Sequence, residues 1–548
     1  MRLRPKHAWL LAFAAVFATL AGYVFWGTWS PSMAPVMPDC PTSYPVHWFR
    51  AWLSGWLENG KFAPAEAINW IGSPYLWTEF QYAFAAFMSA LGLAYFLRGR
   101  GLPRIAAYGA GLFLAFSGYW FTLFSAGHLG WFQWMTYGVF AFGLIDRALG
   151  KGKARHWLLL GACLAWGSMR QPDLWLLFSA FSAAYFVFRL VVVLRGTAAS
   201  ERRLTAVKWA KGSLLALLAL LAIGGASFRS AFVNDLAGRD KQIEEGQTVG
   251  SNVKDDAERR WIFTTNWSMP PEATREFWNG RIEGDTSCPF TLAIGQRRGN
   301  GIRQYVGRLG RPLGAPSGNY RQHSLYVGVG TCILALAGIV LAFTRRHSAL
   351  DSRQPQLPTS NPQLSTILFF AVSAIVFWLF SMGRHCEIVY RLVYALPFGD
   401  YLRAPVKWHH LTEFCLCVLA GYGIWGWMQM EGRVATVKVK TTVAAVVLLL
   451  GAIDLAGNAR LYCAPHRADA DMQFVDGRIV QDPRGIAQLD QMHARVIGAY
   501  QGAALVEVPK ARDGKAPELS SPEPLTLALG VLSLLGTLAA CAYGAKKS

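Results

Sequence analysis

The feature that most constrains this chain is a recurrence of apolar blocks, about 18 to 22 residues each, separated by short loops rich in Lys and Arg. A helix of about 20 residues crosses a hydrocarbon core of roughly 30 Å. In that medium every backbone N–H and C=O must be satisfied within the protein, so such blocks fold as helices. Charged residues make up only 16% of the 548 positions, against roughly 25% in soluble chains. Trp and Tyr cluster near the block ends, where an amphipathic ring keeps one edge wet.

The pattern predicts an all-α polytopic membrane protein of about twelve spans, at 8–28, 79–97, 105–124, 130–146, 157–169, 174–194, 212–229, 325–343, 365–382, 408–427, 441–459 and 524–543. The stretch at 157–169 is short for a span and is expected to tilt or borrow its flanks. The stretch after MRLRPKH is too long for a signal-peptide core of about 7 to 15 residues and reads as a retained first helix.

Orientation follows from the short loops. With the N-terminus inside, Arg98 to Arg104, Arg147 to Arg155, Arg195 to Lys211, Arg345 with Arg346, Arg433 to Lys440, and Lys546 with Lys547 all fall on the inner side. The large segments are then outer. The chain divides into a membrane module at 1–229 with a first outer loop at 30–78, a mixed soluble segment at 230–324, spans at 325–459, an outer segment at 460–523 and a final helix and tail at 524–548. The polar stretch at 345–363 reads as a flexible inner linker. The net charge of +20 sits in topology-setting loops and favours lipid headgroups over nucleic acid. Cys40, Cys288, Cys386 and Cys463 fall in the outer segments, where two disulfides in any of three pairings are open.

Candidate chemistry gathers in the outer turns. Asp39, in PDCPTSYP directly after the first span, either caps the following chain or presents a carboxylate at the membrane lip. The stretch VHWFRAWLSGWL after it has the spacing of a helix lying in the interface. His128 stands at the apex of SAGHLGWFQW, suited to bind phosphate, relay a proton or simply bond backbone. Arg170, Gln171 and Asp173 meet in SMRQPDLW; Asp173 either caps the next helix or forms a second acidic group facing Asp39, holding a divalent cation or orienting an acceptor. Arg403 and Lys407 flank Pro405 at a helix start, where free N–H groups and two cations would hold a phosphate. Snorkelling to lipid headgroups is the plainer reading of both. Inside that helix, His409, His410 and Glu413 are costly in hydrocarbon and are expected to face a cavity, as metal ligands, a proton relay or lipid-phosphate contacts. For Asp454 a buried structural hydrogen bond is expected. No P-loop, no HExxH and no CxxC pair occurs, so an enzyme of this shape takes an activated substrate from within the membrane.

The early acidic loop PDCPTSYP, the turn AGHLGWFQW before LIDRAL, the entry NYRQHSLYVGV, the segment LPFGDYLRAPVKWHHLTEFCLCVLAGYGI and the late phrase AIDLAGNARLY together resemble the YfhO-type bacterial membrane proteins of the GT-C glycosyltransferase class. The resemblance covers most of the chain as an order of features, and Glu413 with the two histidines departs from it. It implies sugar transfer from a polyprenyl-phosphate-linked donor to an envelope glycan, lipid or protein acceptor on the outer face of the inner membrane. Asp39 would be the base, Arg403 with Lys407 and His128 would hold the donor phosphate, and Asp173, Arg170 and Glu413 would serve the acceptor. Two other readings fit the layout: a transporter or lipid flippase, and a non-catalytic scaffold for envelope polysaccharide assembly.

Overall fold

The computed structural model describes residues 5–25, 33–36, 74–126, 128–169, 171–231, 255–279, 325–351, 362–397, 399–430, 437–463, 466–467, 473–475, 478–480, 504–507 and 523–545, with 53, 56–57, 59–64, 238 and 243 between them. The long helices are Pro5–Val24, Pro74–Gly99, Arg104–Ala115, Gly118–Ala126, Leu129–Lys151, Ala154–Ser168, Pro172–Gly196, Ala199–Ser230, Val329–Asp351, Pro362–Ser381, His409–Met428, Val437–Cys463 and Pro524–Ala545. Among the described residues seven helices are long and apolar enough to cross a membrane, so the chain is a helical membrane protein. They carry Leu, Ile and Val outward, as at Leu336, Val372, Ile375 and Leu450, all more than half exposed or at half exposure. Such a surface is stable only against hydrocarbon.

Three elements differ from the periodicity. The stretch 105–124 is not one helix. It breaks at Phe116 and Ser117, where the Gly118 N–H leaves its own helix and donates to the Tyr326 carbonyl at 2.8 Å. A partner from a distant segment replaces the intrahelical one, which satisfies the backbone inside the bundle. The cationic stretch before 212 is helix rather than loop: Ala199–Ser230 runs through Arg202, Arg203, Lys208 and Lys211. Its buried Trp209 anchors it by donating to the Leu149 carbonyl at 3.1 Å. Likewise Val329–Asp351 continues through Arg345 and Arg346, so the expected linker begins inside a helix.

Small residues set the closest helix contacts. A Cβ on Gly423 would stand 2.0 Å from the Leu334 carbonyl oxygen, and one on Gly338 would stand 2.6 Å from that of Leu419. The helices Val329–Asp351 and His409–Met428 therefore touch backbone to backbone, the usual route to tight packing in lipid. Aromatic rings fill the centre: Phe142 meets Phe414 at 4.7 Å, and Phe181 meets Phe377 at 4.7 Å. At one end of the bundle Asp146 accepts from Arg189 Nε at 2.6 Å and from the Tyr185 hydroxyl at 3.0 Å, with Arg100 at 3.8 Å. Arg100 also donates to Thr366 at 2.6 Å. This clamp ties Leu129–Lys151, Pro172–Gly196 and Pro362–Ser381 together.

The non-membrane segments contribute a helix at Asp256–Thr265, a 3-10 turn at Pro271–Phe277 and short strands. Met33–Val36, of the first loop, runs antiparallel to Ala504–Glu507, of the late segment, with Met33 opposite Glu507. His466–Arg467 pairs parallel to the same strand. Two segments assigned to one side by the charge argument thus share a sheet. Cys386 is a half-buried free thiol. Cys40, Cys288 and the side chain of Cys463 lie outside the described residues, as does most of the expected interfacial helix at 46–57.

Candidate functional site

The site end of the bundle begins where the chain enters the helix His409–Met428. Leu402 and Arg403 lead to Ala404, whose φ of +66° is rare for a residue with a Cβ. Pro405–Trp408 then winds one 3-10 turn into the helix. The proline suits this first turn because its missing N–H has no helical partner to lose. Trp267 is the other non-glycine residue with positive φ among those described, at +58°. Their segments are joined: the Val406 N–H, two residues after Ala404, donates to the Trp267 carbonyl at 3.2 Å. Strained residues of this kind cluster where a structure holds a fixed geometry, at about 1–3 kcal/mol each.

The segment bearing Trp267 is clasped from its other side. Arg384 donates to the Thr265 carbonyl at 2.9 Å and to Asn266 Oδ1 at 3.2 Å, and its backbone N–H donates to Ser268 Oγ at 3.0 Å. Gly383, with φ of +50°, permits this approach, since a Cβ there would lie 2.1 Å from Ser268 Oγ. On the resulting shelf the Arg403 guanidinium lies over the Trp267 ring at 4.4 Å and near Phe263 at 5.3 Å. A flat guanidinium stacks on aromatic faces, and this fixes its position.

Lys407 is buried and donates to Asp173. Asp173 stands in the first turn of Pro172–Gly196, where it also accepts from the Leu174 N–H at 2.9 Å and from Gln171 Nε2 at 2.9 Å. It thus satisfies a free N–H of the helix's first turn and is also the counter-ion of a lysine from a far part of the chain. The Lys407 ammonium also lies 5.2 Å from the Trp131 ring centroid.

Trp131 is the centre of the arrangement. His128 approaches it at 5.6 Å and His410 at 5.5 Å. His410 is wrapped further by Tyr119 at 4.2 Å and Trp120 at 4.0 Å. Its Nδ1 lies 3.4 Å from Glu413 Oε2, and His409 Nε2 lies 3.7 Å from Oε1. Glu413 accepts from Ser117 Oγ at 2.5 Å, at the break in the helix 104–126. All three of His409, His410 and Glu413 are fully buried. Among the described residues no group of three or more His, Cys, Asp or Glu side chains could hold a metal ion, this trio included. Asp454 accepts from the Tyr326 hydroxyl, so the expected hydrogen bond exists, but the residue is exposed rather than buried.

Of the residues singled out from sequence, His128, Asp173, Lys407 and Glu413 are thus brought around one tryptophan, and Arg403 stands on a neighbouring shelf. Asp39 and Arg170 lie outside the described residues. Sequence reasoning missed Trp131, Trp267 and Ser117. Trp131 was visible as the aromatic three residues after His128, on the same face of the helix that follows. Nothing local marks Trp267, whereas the Ser117–Gly118 step is a local break signal inside an apolar block. No protein-family model matches the chain, and no curated protein matches it.

Proposed function

We propose that this chain is a twelve-span membrane glycosyltransferase of GT-C type, related to the YfhO-type proteins, in a bacterial inner membrane with both termini inside. It transfers a sugar from a polyprenyl-phosphate-linked donor to a glycan, lipid or protein acceptor at the outer surface. The observation that carries the reading is the convergence of His128, Asp173 and Lys407, from three separate turns, about Trp131, with Arg403 held on Trp267 four residues before Lys407.

In this reading Asp39 takes the proton of the acceptor hydroxyl as its oxygen bonds to the anomeric carbon, the bond from that carbon to the lipid phosphate breaks with inversion, and Arg403 steadies the departing phosphate. Arg403 suits this role by its planar, bidentate donor geometry, while Lys407 is paired with Asp173. The Lys407–Asp173 pair then serves to fix the turn Pro405–Trp408. A divalent cation shared by Asp39 and Asp173 would have to displace the Lys407 ammonium. The test is sugar transfer from a panel of radiolabelled polyprenyl-phosphate sugars by wild type and Asp39→Asn. A loss of about 100-fold in the variant, within the range for a general base, supports the reading. Equal activity removes Asp39 from the site, and no transfer from any donor by wild type removes the reading.

A second reading as a transporter draws on one feature: the broken helix at Ser117 with fully buried Glu413, His409 and His410 against it. Discontinuous helices at a polar cluster are how transporters bind substrate. Lipid or solute movement that survives Asp39→Asn and is abolished by Glu413→Leu would favour it.

A further inference from the structure

The short helix Glu387–Tyr394 lies between two long apolar helices, Pro362–Ser381 and His409–Met428, and has two unlike faces. Tyr390 and Val393 are buried. On the opposite side Ile388, Leu392 and, one turn on, Leu396 are exposed by 88%, 66% and 56%. Their spacing of four places them in one stripe. Water would not tolerate such a stripe cheaply, and Ile388 is as open as any large apolar residue here. The flank is polar: Glu387 accepts from Arg391 at 2.9 Å.

We infer that this helix lies in the plane of the membrane at the site end of the bundle, with Ile388, Leu392 and Leu396 seated in the acyl boundary of the phospholipid leaflet. The occupant is lipid because the stripe continues directly from a lipid-crossing helix only five residues earlier, and a polar flank beside an apolar stripe is the pattern of an interfacial helix. The helix is tied to the Arg403 shelf. The Tyr390 hydroxyl donates to the Leu402 carbonyl at 3.2 Å, and Trp261, one helix away, packs edge-on to Tyr394 at 5.3 Å and under Arg391 at 4.7 Å. Its depth therefore sets the depth of Arg403 at the headgroup layer. Resting on the function proposed above, this makes the phosphate that Arg403 meets a membrane-borne one that arrives sideways.

The test is photo-crosslinking of the full-length protein in native membranes with benzoylphenylalanine at 388, 392 or, as a control on the polar flank, 391. Phospholipid adducts by mass spectrometry at 388 and 392, several-fold above those at 391, are expected. A crosslinked homodimer, a crosslink to another protein, or equal labelling at all three positions overturns the inference. Sugar transfer is measured on unirradiated Ile388→Glu/Leu392→Glu protein. Lipid adducts without any sugar transfer by wild type would leave the membrane seat standing and remove the function it was attached to.

Discussion

Lys407 and Asp173 stand 234 positions apart in the chain and form one buried ion pair. The lysine comes from the 3-10 turn before the histidine helix and the aspartate from the first turn of Pro172–Gly196. Two halves of the bundle are therefore joined at the site end by opposite charges that neither half contains alone. Such a pair adds little over a well-packed apolar substitute, but removing one partner strands a buried charge.

Lys407→Met and Asp173→Leu singly should each destabilise the protein by about 3–5 kcal/mol. The loss should appear as a lower unfolding temperature in detergent. The double variant Lys407→Met/Asp173→Leu should recover a large part of it, because no orphan charge remains. A double variant that merely sums the two single losses would show that the residues do not interact.

Ala404 has the opposite character: a local cost retained beside the site. Glycine adopts positive φ freely. Ala404→Gly should therefore relieve roughly 1 kcal/mol of the strain in the folded state, partly offset by the greater freedom of glycine in the unfolded chain. If the strain serves to hold Arg403 over Trp267, the same substitution should lower sugar transfer or donor affinity while leaving the unfolding temperature unchanged or higher. A fall in both would mean that Ala404 is simply part of the packing.

How much of this was legible in the sequence depends on how local the cause is. Helix positions were readable because span length is imposed by the bilayer and leaves a block of apolar letters, as at 365–382 against the observed Pro362–Ser381. The break at Ser117 was marked only by the single Ser-Gly step within GLFLAFSGYWFTLF, and the acceptor that permits the break, the carbonyl of Tyr326, is remote in sequence. Helix at 199–211 was read as loop because charges were counted for topology, although Ala, Glu, Arg and Lys are good helix formers. In the site, ionisable residues near span ends stood out by their cost in lipid. Their partners did not: that Asp173 answers Lys407, and that Trp131 gathers His128, Lys407 and His410, depends on contacts between distant segments.

The helix pair Val329–Asp351 and His409–Met428 offers a test independent of any activity. Gly423→Val would place its Cβ 2.0 Å from the Leu334 carbonyl oxygen, so the backbones must separate. Overpacking of this kind costs about 1–3 kcal/mol and more where backbone cannot yield. The variant should give lower yields of monodisperse protein and a lower unfolding temperature. Gly457→Ala, on the neighbouring helix with open space at its Cβ, should be silent. Equal behaviour of the two would mean that the helices are not in contact at Gly423.

Arg403 gives the sharpest test of the site. Its guanidinium is held over Trp267 by cation–π attraction, worth about 0.5–1 kcal/mol when exposed and about 2 or more when desolvated. A lysine would keep the charge but lose the flat stacking and the paired donors that fit a phosphate. If the proposed lipid-phosphate donor is the substrate, Arg403→Lys should weaken its binding about tenfold, and Arg403→Ala more, with little change in unfolding temperature in either. Trp267→Leu should resemble Arg403→Lys in donor binding, because it frees the guanidinium from its shelf without removing it. Steady-state transfer against donor concentration in nanodiscs would read this as a higher KM. If Arg403→Ala binds donor as wild type does, the phosphate is held elsewhere, and the cation on Trp267 is there only to pack the loop between Tyr390 and the histidine helix.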